Sequence, residues 1–160
     1  VASKAERNSI DCIIVAHNFG DVAPGSNRVT MVPTLASRIK AGLRITNPDC
    51  VAYDLAFGCP GWVEGLIQAN YYLRSGDMSK CLVIGTETLS RVIDPHDRDS
   101  MIFGDGAGAV VLERSAIKEK GILSHKTQTF AGDYVDFINM KKSNSPSAAG
   151  PDLYLKRDGR

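Results

Sequence analysis

A cysteine stands where the chain changes character, in the run Val51-Ala-Tyr-Asp-Leu-Ala-Phe-Gly-Cys59-Pro-Gly-Trp62. Residues 50–57 are mostly β-branched, aromatic or aliphatic, which reads as a buried strand. After Pro60 the spacing becomes helical: Val63, Leu66, Ile67, Asn70, Tyr71 and Leu73 recur on one face as far as Gly76. Pro60 suits the first helical position and Gly76 a C-terminal stop. Cys59 therefore falls at or just before a helix N-terminus, where unpaired N–H groups and the macrodipole favour an anion. The chemistry this suits is nucleophilic, through a thiolate. The plainer reading of a cysteine is a small buried apolar residue, and Cys12, Cys50 and Cys81 fit it, each in a strand-like apolar run.

Other candidates carry less. Gly104-Asp-Gly106-Ala-Gly108 has the look of a phosphate cradle, but a dinucleotide fingerprint needs a strand before it and a helix after it. Here the glycines lead into the apolar run 109–112, so close backbone packing beside a site is the better use for them. His17 ends a strand-like run, His96 sits in a polar loop and His125 in a late strand-like segment. Each reads as a surface or packing residue rather than a base. No spacing of His and Cys suggests a metal site, and no resident cofactor is expected.

The elements that must position Cys59 follow from the rest of the pattern. Residues 10–17 read as a strand, 18–30 as a polar loop and 31–43 as a helix with Pro33 near its start. Strand 50–55, the helix after Cys59, strand 80–85 and the glycine-fed strand 109–112 come next. Residues 121–129 and 153–156 are further strand candidates, and 130–152 a mobile surface loop. The order β-α-β-α-β, then β-β, predicts an α/β fold with a mixed, mostly parallel five-stranded sheet in a single domain, residues 1–160.

Composition sets the outer limits. The chain has 160 residues, 43% hydrophobic and 23% charged, as in ordinary globular proteins with a real core. A net charge of +1 gives no electrostatic case for nucleic acid or an anionic membrane. No apolar run is longer than a strand, so no membrane span is expected. Four cysteines without a disulfide pattern fit reduced thiols in a cytoplasmic protein. The chain starts at Val1 without Met and stops at Asp158-Gly-Arg160, so it is expected to be a piece of something longer.

Several segments together resemble the β-ketoacyl-acyl-carrier-protein synthase III family of the thiolase superfamily. They are Ile13-Ile-Val-Ala16, the stretch 51–61 around Cys59, Leu82-Val-Ile-Gly-Thr-Glu-Thr-Leu-Ser-Arg91, Asp94-Pro-His-Asp-Arg98 and Phe103-Gly-Asp-Gly-Ala-Gly-Ala-Val-Val-Leu112. The resemblance runs from about residue 10 to 123. It implies a thiolase-like layered fold (α-β-α-β-α), of which this chain is the first half only, an N-terminal-half fragment. It also implies an acyltransferase of fatty acid biosynthesis. Cys59 would take an acyl group from acyl-CoA, and a decarboxylative Claisen condensation with a malonyl carrier would follow. Arg98 falls on the arginine that stacks on the adenine of coenzyme A, Phe103 on an acyl-pocket residue, and Val32 on the residue that closes the neighbouring subunit's acyl pocket. The implied partners are acyl-CoA, acyl carrier protein and a second copy of the chain in a homodimer, with no nucleic acid and no membrane.

The family's catalytic His and Asn belong to its second half, so the fragment is expected to be inactive alone. Departures from the family are Phe57-Gly58 before the cysteine, Pro60 and Trp62 after it, and a longer loop at 18–30. Those around the cysteine bear on acyl preference more than on the nucleophile, and the longer loop implies a divergent branch of the family. The competing readings are a superfamily relative (hydroxymethylglutaryl-CoA synthase-like or thioesterase-like) and a non-catalytic dimerisation partner.

Overall fold

The computed structural model describes residues 4–117, 120–148 and 150–158. Its main sheet has four strands: β1 (Cys12–Ala16), β2 (Val51–Leu55), β3 (Lys80–Thr88) and β4 (Asp105–Glu113), in the order β2-β1-β3-β4. β1 lies parallel to both β2 and β3, pairing Cys12 with Val51 on one side and with Cys81 on the other. Every residue of β1 is buried, as expected of a central parallel strand. The sheet has four strands rather than the five expected. Residues 121–129 form no strand; instead His125 meets Tyr71 edge-on at 5.2 Å, and the Thr127 hydroxyl donates to Glu64 at 2.8 Å. The side chains of that segment find partners on a helix, not on a sheet edge.

Two helices cover this sheet, α1 (Leu35–Gly42) and α2 (Gly61–Ser75). The connection from β1 to β2 moves one way along the sheet, and that from β2 to β3 returns past β1. With crossovers of one hand, the two helices must then lie on opposite faces. The alternation of β1 matches: Ile13 and Val15 pack with Ala36 of α1, while Cys12 and Ile14 pack with Ala69 and Leu73 of α2. Burial of each such aliphatic side chain contributes roughly 1.5–3 kcal/mol.

The buried face of α2 is only partly the expected one. Gly61, Gly65, Ala69 and Leu73, four apart, face the sheet with Leu66 packed beside them, and Ile67 is buried, whereas Val63 and Tyr71 are exposed. A β-carbon on Gly65 would stand 2.9 Å from Val83 Cγ1, and one on Gly61 3.1 Å from Ala16 Cβ. The helix sits so close that only small residues fit beneath its first turns. Near the start, Arg7–Ser9 forms a 3-10 turn.

The described residues form two compact units, one drawn from 4–18, 31–86 and 107–127 and the other from 19–30, 87–106 and 128–158. The second holds the antiparallel pair β5 (Ile138–Lys141) and β6 (Tyr154–Arg157), the former inside the stretch expected to be loop. Its apolar cluster is Val22, Val92 and Leu155, with Phe19, Val29, Leu89, Phe103 and Met140 packed against it. Beside that cluster Asp94 is fully buried. Its carboxylate accepts from Lys156 Nζ (2.7 Å), Ser143 Oγ (2.9 Å) and the N–H groups of Asn144 (2.6 Å) and His96 (3.0 Å). Burial alone would raise its pKa, but the Lys156 ammonium and these donors hold it well below the usual carboxylate range.

No helix among the described residues is long and apolar enough to cross a membrane. Two predictions follow from the packing. Gly65→Ala gains helix propensity but drives a methyl into Val83, so chemical denaturation should show a net loss of about 1 kcal/mol. The depressed Asp94 pKa contributes stability above the ordinary carboxylate range, lost as pH falls below about 4. Asp94→Asn should therefore flatten that acid limb and cost about 3 kcal/mol at neutral pH, read from denaturant midpoints across a pH series.

Candidate functional site

In doubly wound sheets, ligands bind at the carboxyl ends of strands where successive connections diverge from a central strand. Here that place is the carboxyl end of β1, with α1 leading away on one side and α2 on the other. The segment from β2 into α2 passes this edge, and Cys59 lies on it.

The local chain is built to deliver that thiol. Gly58 adopts φ +73°, a left-handed conformation that favours glycine, and nothing within 4 Å would obstruct a β-carbon there. The requirement at Gly58 is therefore conformational. The Gly61 N–H donates to the Gly58 carbonyl at 3.0 Å, closing a turn with Cys59 and Pro60 at its centre. Pro60 is the N-cap rather than the first helical residue, and its carbonyl accepts the first helical bond, from Glu64 N–H at 3.1 Å. Cys59 thus precedes the cap, and its side chain is exposed.

The other three thiols are buried. Cys12 and Cys81 face each other across the β1–β3 pair; the Cys81 hydrogen bond and burial push the Cys12 thiol up. Burial also raises Cys50. All three are enclosed and out of reach of a reagent, so one cysteine of the four is placed to react.

An acidic residue that periodicity did not single out organises the same edge. Asp54 Oδ2 accepts from Leu35 N–H and Oδ1 from Ala36 N–H, both at 2.8 Å, so a carboxylate of β2 caps the first turn of α1. Thr34 adds the side-chain cap, accepting from Ser37 N–H at 3.2 Å. His17 Nε2 lies 3.1 Å from Asp54 Oδ2, and the histidine is 6% exposed. The signal in the sequence was a lone carboxylate inside an otherwise apolar strand. Val32, joined to Pro33 by a cis peptide bond, precedes this capped turn and is 84% exposed.

Arg98 and Phe103 belong to the second unit. The Arg98 side chain is 92% exposed, with Asp99 Oδ1 at 3.7 Å. Phe103 is half-buried against the Val22, Val92 and Leu155 cluster. Asp105, inside the glycine-rich run, accepts from the Ser90 N–H (2.8 Å) and hydroxyl (2.7 Å), which lower its pKa. Added β-carbons at Gly104, Gly106 and Gly108 would meet nothing within 4 Å. Close backbone packing, expected of these glycines, is therefore not what the structure shows. His125 is in an irregular segment rather than a strand, and His96 is exposed. No group of three or more His, Cys, Asp or Glu among the described residues could hold a metal ion.

Residues 53–130 match the family model described as 3-oxoacyl-acyl-carrier-protein synthase III. The β-ketoacyl-acyl-carrier-protein synthase III of Neisseria gonorrhoeae is 37% identical over 158 residues, covering 98% of this chain and 46% of that protein. The crystal structure of 3-oxoacyl-acyl-carrier-protein synthase III from Pseudomonas aeruginosa superimposes with a TM-score of 0.74 at 29% identity, over 94% of this chain and 43% of the other. A priming β-ketosynthase from a polyketide biosynthetic pathway gives 0.74 at 26% identity, over 96% and 43%. The chain thus spans about half the length of the curated relatives it matches.

One exposed thiol among four predicts a simple labelling pattern. Iodoacetamide should add once to the folded chain, and peptide mapping should place it on Cys59. Cys59→Ser should take up none until denaturant is added.

Proposed function

Because the chain belongs to the β-ketoacyl-acyl-carrier-protein synthase III family, whose fold is thiolase-like, we propose that Cys59 is the acyl-accepting nucleophile of a condensing enzyme of fatty acid biosynthesis. The observation that carries this reading is the contrast between Cys59, exposed on the turn that opens α2, and three cysteines enclosed in the sheet. In the first half-reaction the Cys59 sulfur attacks the carbonyl carbon of an acyl-CoA. The new carbon–sulfur bond replaces that to coenzyme A, which leaves as its thiolate. The Cys59 N–H stands at the same turn and is the donor assigned to the oxyanion of the tetrahedral intermediate.

Arg98 is assigned to the coenzyme A adenine and phosphates, a role supported by its exposure and by its planar guanidinium. Phe103 and Val32 are assigned to the acyl pocket, Val32 to that of a neighbouring subunit in a homodimer, which its exposure suits. A valine leaves more room there than a bulkier residue would. The second half-reaction releases carbon dioxide from a malonyl group on acyl carrier protein, and the resulting carbanion attacks the Cys59 thioester. The His and Asn that the family uses for it have no counterpart assigned among these residues, so acylation is the step assigned to this chain and condensation is not.

Intact mass after incubation with a series of acyl-CoA esters tests the assignment. A single acyl adduct should form on the chain and be absent from Cys59→Ser. Arg98→Ala should raise the ester concentration needed for half-acylation by about tenfold, leaving the final extent unchanged. An adduct that survives in Cys59→Ser would refute the reading, as would no adduct on a chain whose Cys59 still reacts with iodoacetamide.

A further inference from the structure

The glycines around the site answer to two different demands. Gly58 and Gly76 have positive φ, +73° and +90°, which other residues rarely adopt. Gly85, on β3, is not among the positive-φ glycines, so no left-handed backbone demands glycine there. What it lacks is room: a β-carbon built there would stand 3.0 Å from Trp62 Cβ and 3.3 Å from both Cγ and Cδ1 of the indole. The bare strand at Gly85 is a floor, and Trp62 lies on it.

We infer that Gly85 is a positioning residue for Cys59, acting through the Trp62 indole. The inference rests on the proposed role of Cys59 as the reactive group. Trp62 is the second residue of α2 and stands three positions beyond Cys59. The first turn is held at two places on two strands: Gly61 against Ala16 of β1, and Trp62 against Gly85 of β3. Contact with one strand alone would leave the turn free to roll about that strand; contact with both fixes its tilt. The Gly58–Gly61 hydrogen bond then ties the tilt of the turn to the loop that carries Cys59.

Trp62 is still 37% exposed, so its seat is not a core contact like those of Ala69 and Leu73 further along the helix. A methyl at Gly85 would displace the indole by a few tenths of an ångström. Reaction rates respond to displacements of that order at the attacking atom.

Trp62 is the only tryptophan of the chain, so its fluorescence reads the seat directly. The experiment compares Gly85→Ala, Trp62→Ala and the double variant for Cys59 alkylation rate with iodoacetamide, emission maximum where the indole remains, and melting temperature. Gly108→Ala serves as the control, since a β-carbon there meets nothing. Gly85→Ala should red-shift the emission and lower the alkylation rate about threefold or more while the chain stays folded. Trp62→Ala should lower the rate by itself, and Gly85→Ala should then add nothing further, a coupling that a merely structural loss would not produce.

An unchanged alkylation rate in a folded Gly85→Ala whose emission has shifted would overturn the inference, as would additive effects in the double variant. Should Gly85→Ala fail to fold, Trp62→Ala alone decides, because an unchanged rate there overturns the inference too. The readout needs no acyl-CoA. A chain that shows the coupling but never forms an acyl adduct would refute the acyl-transfer reading and keep this one.

Discussion

The close approach of α2 to β1 and β3 is the constraint on which the rest of the site depends. It is made by omission: Gly61 and Gly65 on the helix and Gly85 on the strand leave out the carbons that would hold the layers apart. A side chain at Gly65 would lift the helix off Val83, and one at Gly85 would lift Trp62. Because the first turn cannot retreat from the sheet or roll upon it, the loop before it is short, and Cys59 emerges at a defined point on the carboxyl edge. The thiol is exposed for a geometric reason, while its three counterparts are enclosed by the same layers.

That edge is organised from both sides of the central strand. On one side the turn centred on Cys59 and Pro60 opens α2. On the other, the Asp54 carboxylate takes the first two free N–H groups of α1, with His17 at its outer oxygen. Both helix starts are therefore served by one short segment: Asp54 of β2 caps α1, and the turn at Cys59, five positions on, opens α2. The second unit uses a different principle, a buried carboxylate bonded four times over, which gathers residues 143–144 and Lys156 of β6 around Asp94. Breaking such a cluster leaves a buried charge uncompensated, so the cluster specifies its own arrangement more than it adds net stability.

Much of this was legible in the sequence, and the exceptions have physical causes. The strand-to-helix change at Cys59 was plain because the apolar period shifts there and glycine and proline punctuate it. The burial of Cys12, Cys50 and Cys81 was equally plain from their apolar runs. The buried face of α2 was legible only in part, at Leu66, Ile67 and Leu73, because a search for apolar periodicity ranks Val63 and Tyr71 above glycine, which has no side chain to score. Close packing rewards the opposite choice. The sheet was overcounted by one strand because residues 121–129 have strand-like composition but find their partners on α2. Asp94 and Lys156 are 62 positions apart, and nothing local announces that they meet. The run 104–108 misled because glycine signals both closeness and mere permissiveness, and only the surroundings tell which.

The central claim is that the first turns of α2 are clamped to the sheet. Hydrogen exchange resolved to single amides tests it most directly, with α2, β1 and β3 compared under native conditions. Amides of the α2 segment 65–73 should exchange as slowly as those of Ile13–Val15 and Leu82–Val83, opening with them as one cooperative unit. Exchange of those helix amides at the rate of the 18–30 loop, with β1 and β3 still protected, would contradict the claim. The helix would then rest on the sheet without being held by it, and the position of Cys59 would need another explanation.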